Sequence, residues 1–261
     1  MQHAAEQKTG ARAGRALARL LVAIVAIFLA PALASAAWWA SIDRPTSWRQ
    51  ADWSASGILP AAEDSAAPAI YIMAARTGGM KGAFATHSWI VTKEAGGDYR
   101  RYDKVGWGRP VRIDGYPADA RWYSNLPEIV GSAHGAEAER LIPEVEAAIA
   151  AYPHNGEAGD PGYRIYPGPN SNSFVAHVLR DVPELGIVLP PNAVGRDYLS
   201  GGRFFAVADD GLNVHATFYG LAGFSAGIRS GIEIHLMGLV AGIDFRRIGI
   251  KVPAFGLVSV L

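Results

Sequence analysis

From Leu20 to Ile42 the chain carries no charged side chain, and Lys8, Arg12, Arg15 and Arg19 stand just before that run. The hydrocarbon core of a bilayer takes about 20 apolar residues of helix, and this run supplies them with Pro31 as its one helix-disfavouring residue. It is apolar on every face, which a core helix of a small domain seldom is. Residues 1–40 therefore read as a membrane segment, either a single anchor or a signal peptide. Trp38 and Trp39 suit the interface at the end of an anchor, whereas Ala32-Leu33-Ala34 resembles a small-x-small cleavage site. Both readings keep the basic residues on the cytoplasmic side and export the rest. The expected location is an inner membrane, single-pass, with the domain on the periplasmic or outer side. After cleavage it would be the periplasm.

The remainder of the chain is long enough for one domain, and half of all residues are apolar, so a core can form. Acidic and basic residues balance at 24 each; without a basic run, no nucleic-acid partner is expected. The chain has no cysteine, which excludes disulfides, thiolate catalysis and Cys-ligated metals.

Residues 41–68, with Pro45, Pro60, Pro68, Trp48 and Trp53, read as an irregular lead-in, and 69–261 as a single α+β domain. Strands are expected at 69–75, 84–91, 99–107 and 163–166, each an apolar or alternating run bounded by glycine or proline. In the second, alternation sets Ala85, His87, Trp89 and Val91 on one face. A helix is expected over 136–152, where Ala138, Leu141, Ile142, Val145, Ala148 and Ile149 recur at helical spacing. Short glycine-separated strands at 204–207, 212–219, 232–237 and 248–252 suggest an antiparallel sheet, giving an antiparallel sheet with two packed helices.

The second helix carries the candidate chemistry. In Tyr166-Pro167-Gly168-Pro169-Asn170-Ser171-Asn172-Ser173-Phe174-Val175, the prolines and Gly168 fix a bend and Asn170 is a strong N-cap. Ser171 then falls in the first turn, where free N–H groups and the helix dipole favour negative charge. A serine hydroxyl needs a base, and His87 on its strand could serve. The competing reading makes Asn170 to Ser173 capping residues and His87 a satisfied strand histidine. Asp103, on the strand after that of His87, is the first choice to orient the imidazole; a surface pair with Arg100 or Arg101 is the alternative. His215, Glu233 and His235 have the side-chain types of a zinc site, but their spacing matches no recurrent motif, and a polar solvent face is expected instead. No metal and no cofactor is assigned, and the glycine pairs read as turns rather than a nucleotide cradle.

The segments His87-Ser88-Trp89-Ile90-Val91, Arg101-Tyr102-Asp103 with Gly106-Trp107-Gly108, Tyr166 to Phe174, and Pro183-Glu184-Leu185 with Leu189-Pro190-Pro191 resemble a bacterial domain-of-unknown-function family, number 3750. The resemblance runs from about Trp48 to the C-terminus and implies no activity. A more distant one is to permuted papain-like proteins of the NlpC/P60 type, which carry a strand histidine and later an Asn-Cys-x-x-Phe motif opening a helix. Here His87 is followed by Asn170-Ser171-Asn172-Ser173-Phe174, with Ser171 in the cysteine's place. That likeness implies a permuted papain-like domain with His87 and Ser171 in a groove and Asp103 or Asn172 positioning them. It implies either hydrolysis of an amide or ester in an envelope peptide or lipid, or a non-catalytic envelope protein that binds through the same groove. An accessible Ser171 would favour the first and a sealed one the second.

Overall fold

The computed structural model describes residues 2–107, 111–155, 162–207 and 211–259. Gly108 of the Gly106-Trp107-Gly108 segment lies outside them. The N-terminal run is one long helix, α1 (Gln2–Ile24) continuing into α2 (Ala30–Ser41) through a wider π-type turn at Val25–Leu29. Ala30 N–H returns five residues to Val25 O. Pro31 accounts for this, since it lacks an N–H and its ring crowds the turn before it, and a widened turn relieves both. The stretch Arg12–Ser41 is long and apolar enough to cross a membrane. One stripe of it is nevertheless packed on protein: Phe28, Ala32, Ser35 and Trp39 are buried. Ser35 Oγ–H donates to Ala83 O at 2.5 Å and Trp39 Nε1–H to Gly79 O at 2.8 Å. Gly82 permits the contact, because a Cβ there would stand 2.3 Å from the Trp39 ring.

Among the described residues the strands form two antiparallel sheets rather than the one expected. The first holds β1 (Ala69–Arg76), β2 (Thr86–Lys93), β3 (Tyr99–Lys104), β4 (Val111–Ile113) and β5 (Glu128–His134), in the order β4-β3-β2-β1-β5. Alternation divides its side chains between two cores. Ile70, Ile72, Ile90 and Tyr102 meet α3 (Gly135–Ala150) and α4 (Ser171–Asp181), including Leu141, Val145, Phe174 and Val178. Tyr71, Met73, Trp89 and Val91 point the other way, onto Leu59 and Trp122, with Trp53 of the lead-in packed alongside. Each fully buried Leu, Val or Phe contributes about 1.5–3 kcal/mol, so both faces of this sheet are anchored. Residues 163–166 form no strand. Their backbone serves the loop instead: Arg164 N–H donates to Pro169 O, and Ile165 O accepts from Asn170 Nδ2.

The second sheet is a simple meander of seven strands: β6 (Phe205–Val207), β7 (Asn213–Phe218), β8 (Ala222–Gly227), β9 (Gly231–Leu236), β10 (Leu239–Asp244), β11 (Gly249–Val252) and β12 (Gly256–Ser259). Two of its hairpins turn at Tyr219-Gly220 and Met237-Gly238, where both central residues have positive φ, the geometry that matches strand twist. The fold is α+β, with both packed helices on the first sheet.

Candidate functional site

His87 is the second residue of β2, and the β2/β3 register pairs Ile90 with Tyr102. One step further along that register sets Asp103 opposite Trp89, diagonal to His87 and on its face. The carboxylate and imidazole meet: His87 Nε2 lies 2.7 Å from Asp103 Oδ1. Asp103 also accepts from Arg101, at 2.5 Å from Nε and 3.0 Å from Nη2. The surface pairing with Arg101 thus becomes a buried one, with Asp103 fully enclosed and Arg101 at 1% exposure. Aromatic rings wall the group in. Trp122 stacks on the His87 ring at 3.7 Å and 6°, and the Arg101 guanidinium lies 4.0 Å from the Trp89 ring centre.

Burial pushes the His87 pKa down, and the bond to Asp103 only partly restores it. Burial acts upward on Asp103, but the Arg101 charge and the His87 contact outweigh it and hold the carboxyl at about 2. A neutral imidazole beside a carboxylate must donate through Nε2, which leaves the Nδ1 lone pair as the basic atom. Nδ1 makes no hydrogen bond among the described residues.

Ser171 and Asn172 open α4, and Asn172 ties that end to β2, since its Nδ2 donates to Thr86 O at 2.9 Å, next to His87, and to Val194 O at 2.8 Å. The N–H groups expected to be free for an anion are occupied. Asn170 Oδ1 takes those of Asn172 and Ser173 at 2.9 and 3.0 Å, and Ser171 lies close enough to the Tyr163 hydroxyl to offset part of the upward push that burial gives its pKa. Ser171 is 3% exposed and His87 4%, and among the described residues no hydrogen bond joins them. The site therefore unites His87 with Asp103 and docks Asn172 beside them, while Ser171 is sealed under Tyr163. A cleft of about 830 Å³ opens nearby, lined by Thr86 and Asn192 but by neither His87 nor Ser171.

The second sheet corrects another expectation. His215, Ser225 and Glu233 stand in one cross-strand row, on the buried face rather than a solvent face. Glu233 accepts from Arg196 at 2.7 Å and from Lys251. His235 Nδ1 lies 2.9 Å from Asp197 Oδ1 and its Nε2 3.2 Å from Glu233 Oε2. Donor atoms of Asp197, His215 and His235 fall within 4.8 Å of one another, close enough to share a metal ion. Arg196 stands 3.7 Å from the same Asp197 oxygen, and His215 already spends its nitrogens on Ser225 Oγ and Asp197 O. Arg196 and Lys251, set against Asp197, Glu233 and, at 3.7 Å from Lys251, Asp244, make the group an ion network. Sequence reasoning missed Asp197 and Arg196 because they lie in the irregular stretch before β6, where no periodicity marks a face. His177 packs against Tyr152, and His134 bonds Ser132 at the exposed end of β5.

No curated protein and no solved structure matches the chain. A family model described as a protein of unknown function (DUF3750) matches residues 67–198. That span is shorter than the resemblance expected from about Trp48 to the C-terminus; it takes in the first sheet, both packed helices, His87, Asp103, Ser171 and Asn172, and stops before the meander. By this match over half its length, the chain belongs to the DUF3750 family of proteins of unknown function.

Proposed function

We propose that the chain is a membrane-tethered, non-catalytic binding protein of the cell envelope that holds an anionic amphiphile in the cleft beside its N-terminal helix. The observation that carries this reading is the lining of the 830 Å³ cleft. Trp38, Trp39 and Ile42 of the helix end form one wall. Five basic side chains, Arg76, Arg229, Arg246, Arg247 and Lys251, outnumber the acidic Glu128 and Asp244. The volume is that of an ordinary small-molecule site, and its composition suits an anionic head above an apolar tail. Retention of the helix is supported by its buried stripe, because cleavage after Ala34 would strip Phe28 and Ala32 from the surface they cover. The burial of Ser171, at 3% exposure, also favours binding over catalysis.

A second reading is favoured by one observation, the neutral His87 oriented by Asp103 with α4 tied beside it. A permuted papain-like hydrolase would use Nδ1 of His87 as base and Ser171 as nucleophile once Tyr163 swung aside. One preparation tests both. Full-length protein in detergent, challenged with phosphatidylglycerol and phosphatidylcholine, is expected to retain the anionic lipid in native mass spectra and to lose it in the Arg246→Gln/Arg247→Gln variant. Equal retention of both lipids rejects the cleft. Ester or peptide hydrolysis that falls by about 1,000-fold in Ser171→Ala would move the conclusion to the hydrolase.

A further inference from the structure

The meander has its polarity reversed. In an antiparallel sheet with one covered face, apolar side chains normally face the protein and polar ones face water. Here His215, Ser225, Glu233, His235 and Lys251 face inward and are mostly buried. The outward positions form continuous apolar rows across the strands. Val207, Val214, Ala226, Ile232, Ile243, Ile250 and Val258 pair in succession through all seven. Beside them runs Phe205, Ala216, Phe224, Ile234 and Ala241. Among the described residues no charged side chain interrupts these rows, and Phe224, Ile232, Ile234 and Ile250 are each half or more exposed.

With strands about 4.8 Å apart and a rise of about 3.4 Å per residue, the face covers roughly 29 by 20 Å. That is as large as the largest apolar patch of a typical monomer, about 300–600 Å², and unusual in lacking any polar gap. We infer that this face lies against the lipid of the same bilayer that the N-terminal helix enters.

Two features select lipid over another occupant. The helix and the sheet touch, Val25–Leu29 against β10, so the middle of the apolar helix and the apolar sheet occupy neighbouring depth. The two ends of the meander also differ. Turns at one end carry Tyr219, Leu221, Met237 and Phe255, whereas turns at the other add Arg229, Arg246 and Arg247 to the exposed Ile228, Phe245 and Ile248. Aromatic and apolar turns suit the acyl region, and arginines suit phosphate headgroups. Arg229, Arg246 and Arg247 also line the cleft, but the apolar rows and the helix contact stand whatever the cleft binds.

The native chain has no cysteine, so single-cysteine variants can be labelled without background. Phe224→Cys, Ile234→Cys and Ile250→Cys carry an environment-sensitive fluorophore on the outer face, and Glu137→Cys on exposed α3 serves as reference. In phosphatidylcholine nanodiscs holding the full chain, the three sheet labels are expected to emit to the blue of the reference, to be quenched by doxyl-labelled lipid and to escape iodide. Quenching by iodide with none from the lipid probe overturns the inference. So does protection from both quenchers together with disulfide-linked dimers of Ile234→Cys, which would mean that a second copy covers the face. Because each position is exposed, the substitutions leave the core intact, and circular dichroism of each variant checks this.

Discussion

At the scale of single residues, the group around His87 is first a matter of charge neutralisation. Arg101 is enclosed by Trp89, Tyr116 and Trp122, so its charge depends on Asp103. Asp103→Asn keeps an acceptor for His87 but leaves the guanidinium without a counter-ion. Removing one partner of a buried pair costs about 3–5 kcal/mol, and urea unfolding in detergent should register a loss of that size. Arg100→Gln is the contrast, since its partner Glu146 is 3.7 Å away on the surface, where such pairs are worth about 0–1 kcal/mol. Equal effects of the two would show that burial does not govern the group. Ser171→Ala removes one buried hydroxyl beside Tyr163, a loss of at most about one hydrogen bond, about 1 kcal/mol net. A small stability change in that variant keeps it usable as the catalytic test.

At the scale of elements, α4 is where sequence and structure agree most closely, and for a physical reason. A cap, a first turn and an apolar face are local properties, and Asn170, Ser173 and Phe174 carry them within five residues. Asn170 also reaches Ile165 O and Val194 O, so Asn170→Ala is expected to exceed the usual cap loss of about 1 kcal/mol. Gly195→Ala should mimic it, because φ there is +98° and a Cβ would stand 2.1 Å from Asn170 Nδ2. Unfolding midpoints of the two variants and their double mutant check this. If both act on the same cap, their losses fall short of additive. The strand alternation that placed His87 on the face of Trp89 was equally local, whereas the approach of Asp103 to His87 rests on the β2/β3 register, a pairing between strands that the sequence only suggested. β5 was not legible: Ile129 and Val130 are only partly covered and Gly131 interrupts the run, so its pairing with β1 is a tertiary choice. In the meander, alternation fixed which residues share a face but not which face is covered. That decision belongs to the inward ion network and to whatever meets the outer rows.

At the scale of the whole molecule, each sheet encloses ionised groups, and their linkage predicts how stability varies with pH. Burial acts upward on Asp103, Asp197 and Glu233, but nearby cations and imidazoles hold all three below the usual carboxylate range. A depressed carboxyl stabilises the fold above its unfolded pKa, about 4, and that contribution fades as pH falls further. His215 is pushed down by burial to about 4, and His87 is lowered for the same reason. Unfolded imidazoles titrate near 6.5, so His215 loses its contribution earlier, between about 6.5 and about 4, and that of His87 likewise begins to fade below about 6.5. His235 runs the opposite way. Burial lowers it, but Asp197 and Glu233 more than compensate and raise it; its contribution is complete below about 6.5 and disappears as pH rises through its folded value. Melting temperature measured from about pH 8 to about pH 3 should therefore peak near neutrality and fall in two stages on acidification. His215→Gln, which keeps a polar group beside Ser225 but cannot titrate, should shrink the first stage to the part that His87 carries and leave the second. A variant that still shows the full first stage would place that proton uptake elsewhere, with His87 the next group to replace.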